Sequence, residues 1–205
     1  MHVRAAAVSE REAIDVEGRE LSLSNLDKVL YPATSFRKRD LLAYYRAIAP
    51  VMLPHLADRA LHLGRWPDGV DAHGWLQANC RGPAWIRTHV VTGKRGQTLK
   101  FGVIDDLATL LWAGQVGTLE LHPFQATITT PDEPRAVVFD LDPGPGCDLR
   151  HCAAAARAIR ERIAPLQSFV KTSGVKGLHV YVPLNGGASF ARAKAFAKSV
   201  AAELA

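Results

Sequence analysis

The sequence predicts a mixed α/β fold, because short runs of two-residue hydrophobic period are interleaved with longer runs of helical period. EAIDV, TLELHPF, AVVFDLD and LHVYVPL have strand character and are bounded by turn residues. Between them, LLAYYRAI and LATLLWAG place apolar residues at helical spacing.

Taken in order, EAIDVEGRELSLS reads as a hairpin. Ile14 and Val16 alternate, Glu17-Gly18 offers the turn, and Leu21 and Leu23 alternate again. A helix is expected around 37–49, with Leu41, Leu42, Tyr45 and Ile48 on one face and Thr34 or Ser35 placed to cap it. Residues 60–103 are strand-like and loop-rich, punctuated by WPDG and RGP. DDLATLLWAGQVG reads as a helix, and TLELHPF as a strand with Thr118, Glu120 and His122 on one face. AVVFDLD is the next strand, and LRHCAAAARAIRERIAP an amphipathic helix ended by Pro165. SFVKTS and LHVYVPL are two further strands. Ser189 then caps a last helix with Phe196, Val200 and Leu204 at i, i+4 and i+8. Its apolar stripe is still running at Ala205 with no glycine cap, so the fold is expected to be longer than this sequence.

At 205 residues, 48% hydrophobic and 22% charged, the chain can bury a real core as one domain, with or without a small subdomain, and disorder is not indicated. No apolar run approaches the ~18 residues of a membrane span, and the N-terminus lacks a signal-peptide core. The three cysteines cannot all pair, and Cys147, His151 and Cys152 fall short of a four-ligand zinc site. They read as buried or incidental thiols in a cytoplasmic protein. A net charge of +5 suits a partner carrying phosphates.

Three stretches carry chemistry. In RAVVFDLDPGPG, Asp140 and Asp142 lie two apart on a strand and present carboxylates to one side. Such a pair repels itself unless a cation lies between the two or one takes a proton, and hard oxygens suit magnesium or manganese. The bland alternative is a strand end before a Pro-Gly turn, where aspartate is common. In KTSGVKGLHVYVPL, Gly174 and Gly177 allow close backbone approach while Ser173, Lys176 and His179 supply donors, as a triphosphate requires. The alternative is a basic turn beside a core histidine. In SNLDKVLYPATSFRKRDLLAYY, Arg37, Lys38 and Arg39 crowd a helix N-terminus, where the macrodipole disfavours cations. A bound anion, using free backbone N–H groups with Asn25 and Lys28 nearby, would explain them. A solvated charge run is the more usual explanation of three basic residues.

NLDKVLYPAT, RWPDGVD, DDLATLLWAGQVGTLELHPF, VVFDLDPGPG and TSGVKGLHVYVPL occur in this order at plausible spacing. Together they resemble the polymerase/primase domain of bacterial ligase D, in the archaeo-eukaryotic primase superfamily, from about residue 12 onward. The resemblance implies a primase-polymerase fold with a mostly antiparallel, RRM-like catalytic sheet flanked by helices. It implies a tail at 1–11, an N-terminal subdomain at 12–60 and a catalytic core at 61–205. Asp140 and Asp142 would be catalytic and hold two divalent ions, manganese or magnesium. Ser173, Gly174, Lys176, Gly177, His179 and His122 would bind NTP or dNTP. Asn25, Lys28 and Lys38 would bind the 5′-phosphate of gapped or broken DNA, and Trp75 would stack on the template.

The implied function is end-joining repair, adding nucleotides, preferentially ribonucleotides, to a 3′-hydroxyl. The implied partners are DNA and ligase, nuclease and end-binding repair proteins, at the bacterial nucleoid. Two departures stand against the pattern. HGWLQAN keeps Trp75 but has Leu76 for the second aromatic and Ala78 for a following lysine, and Gly64 replaces a basic residue before Arg65. A third metal carboxylate, expected on a later strand, has no counterpart; Asp148 is the nearest carboxylate after the turn. Two other functions therefore stay open. One is a 5′-phosphate end-binding module of the same family that cannot extend. The other is a metal-dependent phosphohydrolase with the first aspartate of D-x-D as nucleophile.

Overall fold

The computed structural model describes residues 11–93 and 95–204. They form two compact units, divided between Phe124 and Gln125. The expected tail, 1–11, lies outside the described residues except for Arg11.

The first unit opens on the expected hairpin. β1 (Arg11–Val16) and β2 (Arg19–Ser24) are antiparallel with Val16 opposite Arg19. Glu17 and Gly18 take positive φ, 55° and 78°, which matches the twist of a tight hairpin. β3 (Val29–Tyr31) and β4 (Phe36–Arg37) flank a 3-10 turn at Pro32–Thr34 and lead into α1 (Lys38–Leu56). Neither Thr34 nor Ser35 caps this helix. Thr34 belongs to the turn, Ser35 is left-handed at φ 56°, and Arg37 is the cap residue. The Asp40 carboxylate closes the first turn by accepting from the Arg37 N–H at 2.7 Å. The helix also runs past 49, through Pro50 and Pro54. An interior proline costs about 3 kcal/mol. That cost is offset by burial of Ala49 and Leu56 and by Met52 and Leu53 packing on the core.

The rest of this unit is β5 (Ala60–Arg65), β6 (Trp75–Gln77), β7 (Thr88–Thr92), β8 (Thr98–Val103), α2 (Leu107–Gln115) and β9 (Thr118–Pro123). β5 is the hub of a five-stranded antiparallel sheet. It pairs with β8 through Ala60 and Leu61, with β6 through Leu63–Arg65, and with β9 along its length. α2 starts where the Asp106 carboxylate accepts from the Thr109 N–H at 2.8 Å. It is apolar nearly all round and is buried against α1 and β2.

The second unit contains β10 (Ala136–Leu141), α3 (Leu149–Arg162), β11 (Phe169–Thr172), β12 (Leu178–Pro183) and α4 (Phe190–Glu203). Its sheet runs β10-β12-β11, antiparallel throughout. Alternation sends Val137, Val180 and Val182 to one face, where they are buried with Ile159 and Ile163 of the α3 region and Val200 of α4. Phe139, Leu141 and Phe196 pack on the same core. The Ser189 hydroxyl caps α4 by accepting from the Arg192 N–H at 3.3 Å, as expected, whereas Leu204 ends the helix exposed. No helix among the described residues is long and apolar enough to cross a membrane.

Candidate active site

The polar face of the second unit's sheet is assembled by register. Asp140 on β10 lies directly opposite His179 on β12, so both side chains leave the same face. His179 Nε2 is 3.2 Å from Asp140 Oδ1, and Lys176 Nζ is 3.5 Å from Asp142 Oδ2. Each aspartate thus faces one cation-forming group of the glycine-rich loop. His179 Nδ1 is buried with no hydrogen-bond partner among the described residues. Asp140 and Asp142 stay well exposed, open to a divalent ion on the face where they project.

The loop between β11 and β12 is closed on itself. Ser173 N–H donates to Gly177 O at 2.9 Å, and Ser173 Oγ accepts from the N–H groups of Gly177 and Val175 at 3.0 and 3.4 Å. Gly174, at φ 100°, makes the turn that an L side chain would resist. Gly177 is needed for a different reason. A Cβ there would lie 2.1 Å from Leu141 O and 2.7 Å from Asp142 Oδ1, so only glycine lets the loop close over the end of β10. Ser173, Gly174, Lys176, Gly177, His179, Asp140 and Asp142 therefore form one cluster.

Asp148 is committed elsewhere. Its carboxylate accepts from the N–H groups of Arg150 and His151 at 2.9 and 3.3 Å and contacts His151 Nδ1 at 2.9 Å, capping α3. The His151 hydrogen bond, ahead of those backbone donors, holds its pKa below the usual aspartate range. Among the described residues, no three His, Cys, Asp or Glu side chains form a metal cluster. The two exposed carboxylates still suit magnesium or manganese, which take one or two carboxylates and complete their shell with substrate phosphates and water.

In the first unit, backbone pairing gathers the second candidate set. The Lys28 N–H donates to Asn25 O at 3.0 Å, and the Lys38 N–H donates to Lys28 O at 2.9 Å. Lys38 is buried, with Nζ donating to Ser24 O at 3.1 Å. Burial first, then Lys28 and Arg65, hold its ammonium below the usual lysine range. Arg37 and Arg39 turn away and share Asp27 at 2.9 and 2.6 Å. The expectation of free N–H groups at this helix start is corrected. Those of Arg37, Lys38 and Arg39 are taken by Asp40, Lys28 O and Leu26 O. An anion here would rely on side-chain cations.

Arg65 belongs with these residues, although its sequence context did not mark it as a site. Its guanidinium lies 5.3 Å from the Trp75 ring centroid, with Nη1 on Gln77 Oε1 at 2.6 Å and Nε on Val116 O at 2.9 Å. It is the planar cation beside both Lys38 and Trp75. The RWP run and the expected stacking tryptophan were the available signals.

Residues 37–205 match the family described as LigD, primase-polymerase domain. The chain belongs to that family. It is 38% identical over 198 residues to the multifunctional non-homologous end joining DNA repair protein LigD of Mycobacterium tuberculosis, covering 91% of this chain and 26% of the relative. It is 30% identical over 169 residues to the bifunctional non-homologous end joining protein LigD of Bacillus subtilis, covering 81% and 27%. The chain thus spans about a quarter of the curated relatives it matches. The polymerase domain of Mycobacterium tuberculosis ligase D, solved in complex with DNA, superposes with a TM-score of 0.82 at 38% identity, covering 90% of this chain and 68% of that one.

One departure from the LigD pattern, the glycine at position 64, has a physical account here. Gly64 opposes Glu120 across β5 and β9, and a Cβ at 64 would lie 2.8 Å from Glu120 Cβ and 3.0 Å from the Trp66 ring. A long basic side chain has no room there. Trp75 and Leu76 are both exposed on β6, with Arg65 over the Trp75 ring. His122 sits in the first unit on β9, opposite His62, with Nε2 2.8 Å from Glu120 Oε2.

Proposed function

We propose that this chain is a nucleotidyltransferase of end-joining DNA repair, extending a 3′-hydroxyl at gaps or breaks. The observation that carries this reading is the Asp140/Asp142 pair facing His179 and Lys176 of the glycine-rich loop. Divalent ions, manganese or magnesium, held by the two aspartates would neutralise phosphate charge and acidify the attacking hydroxyl. The protein's own groups do the positioning. Lys176 and His179 exchange their aspartate partners for phosphate oxygens of the incoming triphosphate, and the Ser173 hydroxyl and exposed loop backbone approach the same chain of phosphates. The 3′-hydroxyl loses its proton to solvent as its oxygen bonds to the α-phosphorus, the α–β phosphoanhydride bond breaks, and pyrophosphate leaves with its electrons.

On this reading residues 12–60 supply the 5′-phosphate pocket, with Asn25, Lys28 and Lys38, and 61–205 supply catalysis. Arg65 and Trp75 engage the template, and His122 assists at the phosphates. The proposal extends to ribonucleotide preference, to work in the cytoplasm at the nucleoid and to association with ligase, nuclease and end-binding repair proteins, which the resemblance to ligase D implies.

The test is templated extension of a 5′-phosphorylated gapped duplex with manganese, offering NTP and dNTP in competition. Extension by wild type that is abolished in Asp140→Ala supports the proposal. Absent extension by wild type, or undiminished extension by Asp140→Ala, defeats it. Binding that prefers 5′-phosphorylated over 5′-hydroxyl DNA without any turnover would favour the end-binding module instead.

A further inference from the structure

The same sheet face extends one strand beyond the predicted site. His179 is opposed on its other side by Lys171 of β11, so Asp140, His179 and Lys171 form one row across the three strands. Residues directly opposed in antiparallel strands project from the same face, which puts Lys171 on the side of the two aspartates. The neighbouring row on this face is Val138, Tyr181 and Phe169, with Phe169 exposed and the Tyr181 ring 6.2 Å from that of His179. A charged row thus runs beside a partly aromatic one, two residues apart along the strands.

The basic side chains of this face differ in what occupies them. His179 faces Asp140 and Lys176 faces Asp142, whereas Lys171 makes no ion pair among the described residues. Its Nζ donates only to the adjacent Thr172 carbonyl, at 3.1 Å, on an exposed edge strand. An ammonium so held is free to turn to an anion, because one backbone carbonyl is a weaker partner than phosphate.

We infer that Lys171 is a third cation for the triphosphate, binding its terminal phosphates beyond His179 while Tyr181 and Phe169 offer the adjacent row to the sugar or base. This rests on the nucleotidyltransferase reading and adds a substrate-binding residue and a specificity to it. Lys171 favours triphosphate over diphosphate, because the extra phosphate carries the charge that reaches the outer strand.

The experiment has two arms. Equilibrium binding of ATP, ADP and AMP with manganese is compared for wild type, Lys171→Ala and Lys171→Arg. Gap extension is then measured for the same proteins, with Asp140→Ala as control. The expected result is ATP binding weakened about five- to tenfold in Lys171→Ala, the size of one solvent-facing charge-assisted contact, with AMP unchanged and Lys171→Arg near wild type. KM for nucleotide should rise by a similar factor with kcat little changed. If wild type extends but Lys171→Ala keeps the wild-type KM and ATP-to-ADP ratio, the inference is overturned and the polymerase reading stands. If wild type binds no nucleotide at all, both fall. Nucleotide binding with a Lys171-dependent ATP-to-ADP ratio but no extension would support Lys171 and remove only the catalytic claim.

Discussion

His179 Nε2 and Asp140 Oδ1, 3.2 Å apart, link two strands at the point where a divalent ion and a triphosphate would compete for the same atoms. On the proposed reading the imidazole would hold the carboxylate in place before substrate arrives and would be free for phosphate afterwards. Asp140→Asn should lower the extension rate about a hundredfold or more, because the amide keeps the shape and loses the charge. His179→Gln should act mainly on KM. Steady-state extension kinetics, with circular dichroism of the variants as a folding control, separate the two.

Gly177 tests whether the loop must close on β10. Gly177→Ala forces a Cβ against Leu141 O, which belongs to rigid strand backbone. We expect about 1–3 kcal/mol of destabilisation, read by urea unfolding, together with loss of nucleotide binding. Gly174→Ala meets no atom but must hold φ 100°, so it should lose stability through strain and not through collision.

If Lys38 binds a 5′-phosphate as proposed, the pH dependence of that binding should report on it. Its pKa is lowered by burial and by Lys28 and Arg65 from the ordinary 10.5. The folded state therefore releases this proton more readily than the unfolded chain. The burial penalty on its charged form is relieved as pH rises through the lowered value toward 10.5, so Lys38's share of stability improves over that window. Phosphate needs the charged form, so preference for 5′-phosphorylated over 5′-hydroxyl DNA should fall over the same window. Lys38→Ala should remove about 1–2 kcal/mol of that preference at neutral pH. Lys38→Arg should flatten its pH profile, provided the larger head is accommodated; binding titrations from about pH 7 to about pH 10 decide it.

On the proposed reading, Arg65 and the Trp75 ring it lies over form one template-facing unit. Trp75→Ala should cost about 1–3 kcal/mol of gapped-DNA affinity, the usual range for one base on one ring. If the guanidinium stack fixes the ring, Arg65→Lys should recover only part of the loss seen in Arg65→Ala, because an ammonium cannot stack as a plane. A double-mutant cycle on DNA affinity should then show coupling between positions 65 and 75.

Most of the second unit was legible because period-two alternation states directly which side chains share a face. Asp140 and Asp142 against Val137 and Phe139 is such a case. The positions that were not legible depend on partners distant in sequence. Arg65 acquires its place from Gln77, Val116 and Trp75. Thr34 and Ser35 looked like caps because hydroxyls favour that position, but the β3–β4 hairpin moves the helix start to Arg37. The run through Pro50 and Pro54 is decided by what Leu56 buries, which no local propensity records.

The second unit's sheet keeps its packing and its polar row on opposite sides. Val137, Val180 and Val182 pack with the helices, and Asp140, His179 and Lys171 project from the opposite face. On the proposed reading, stability and substrate choice are thus written on separate pages of the same three strands. A lineage can edit the polar row, exchanging a lysine here or an aspartate there, without renegotiating the wall behind it.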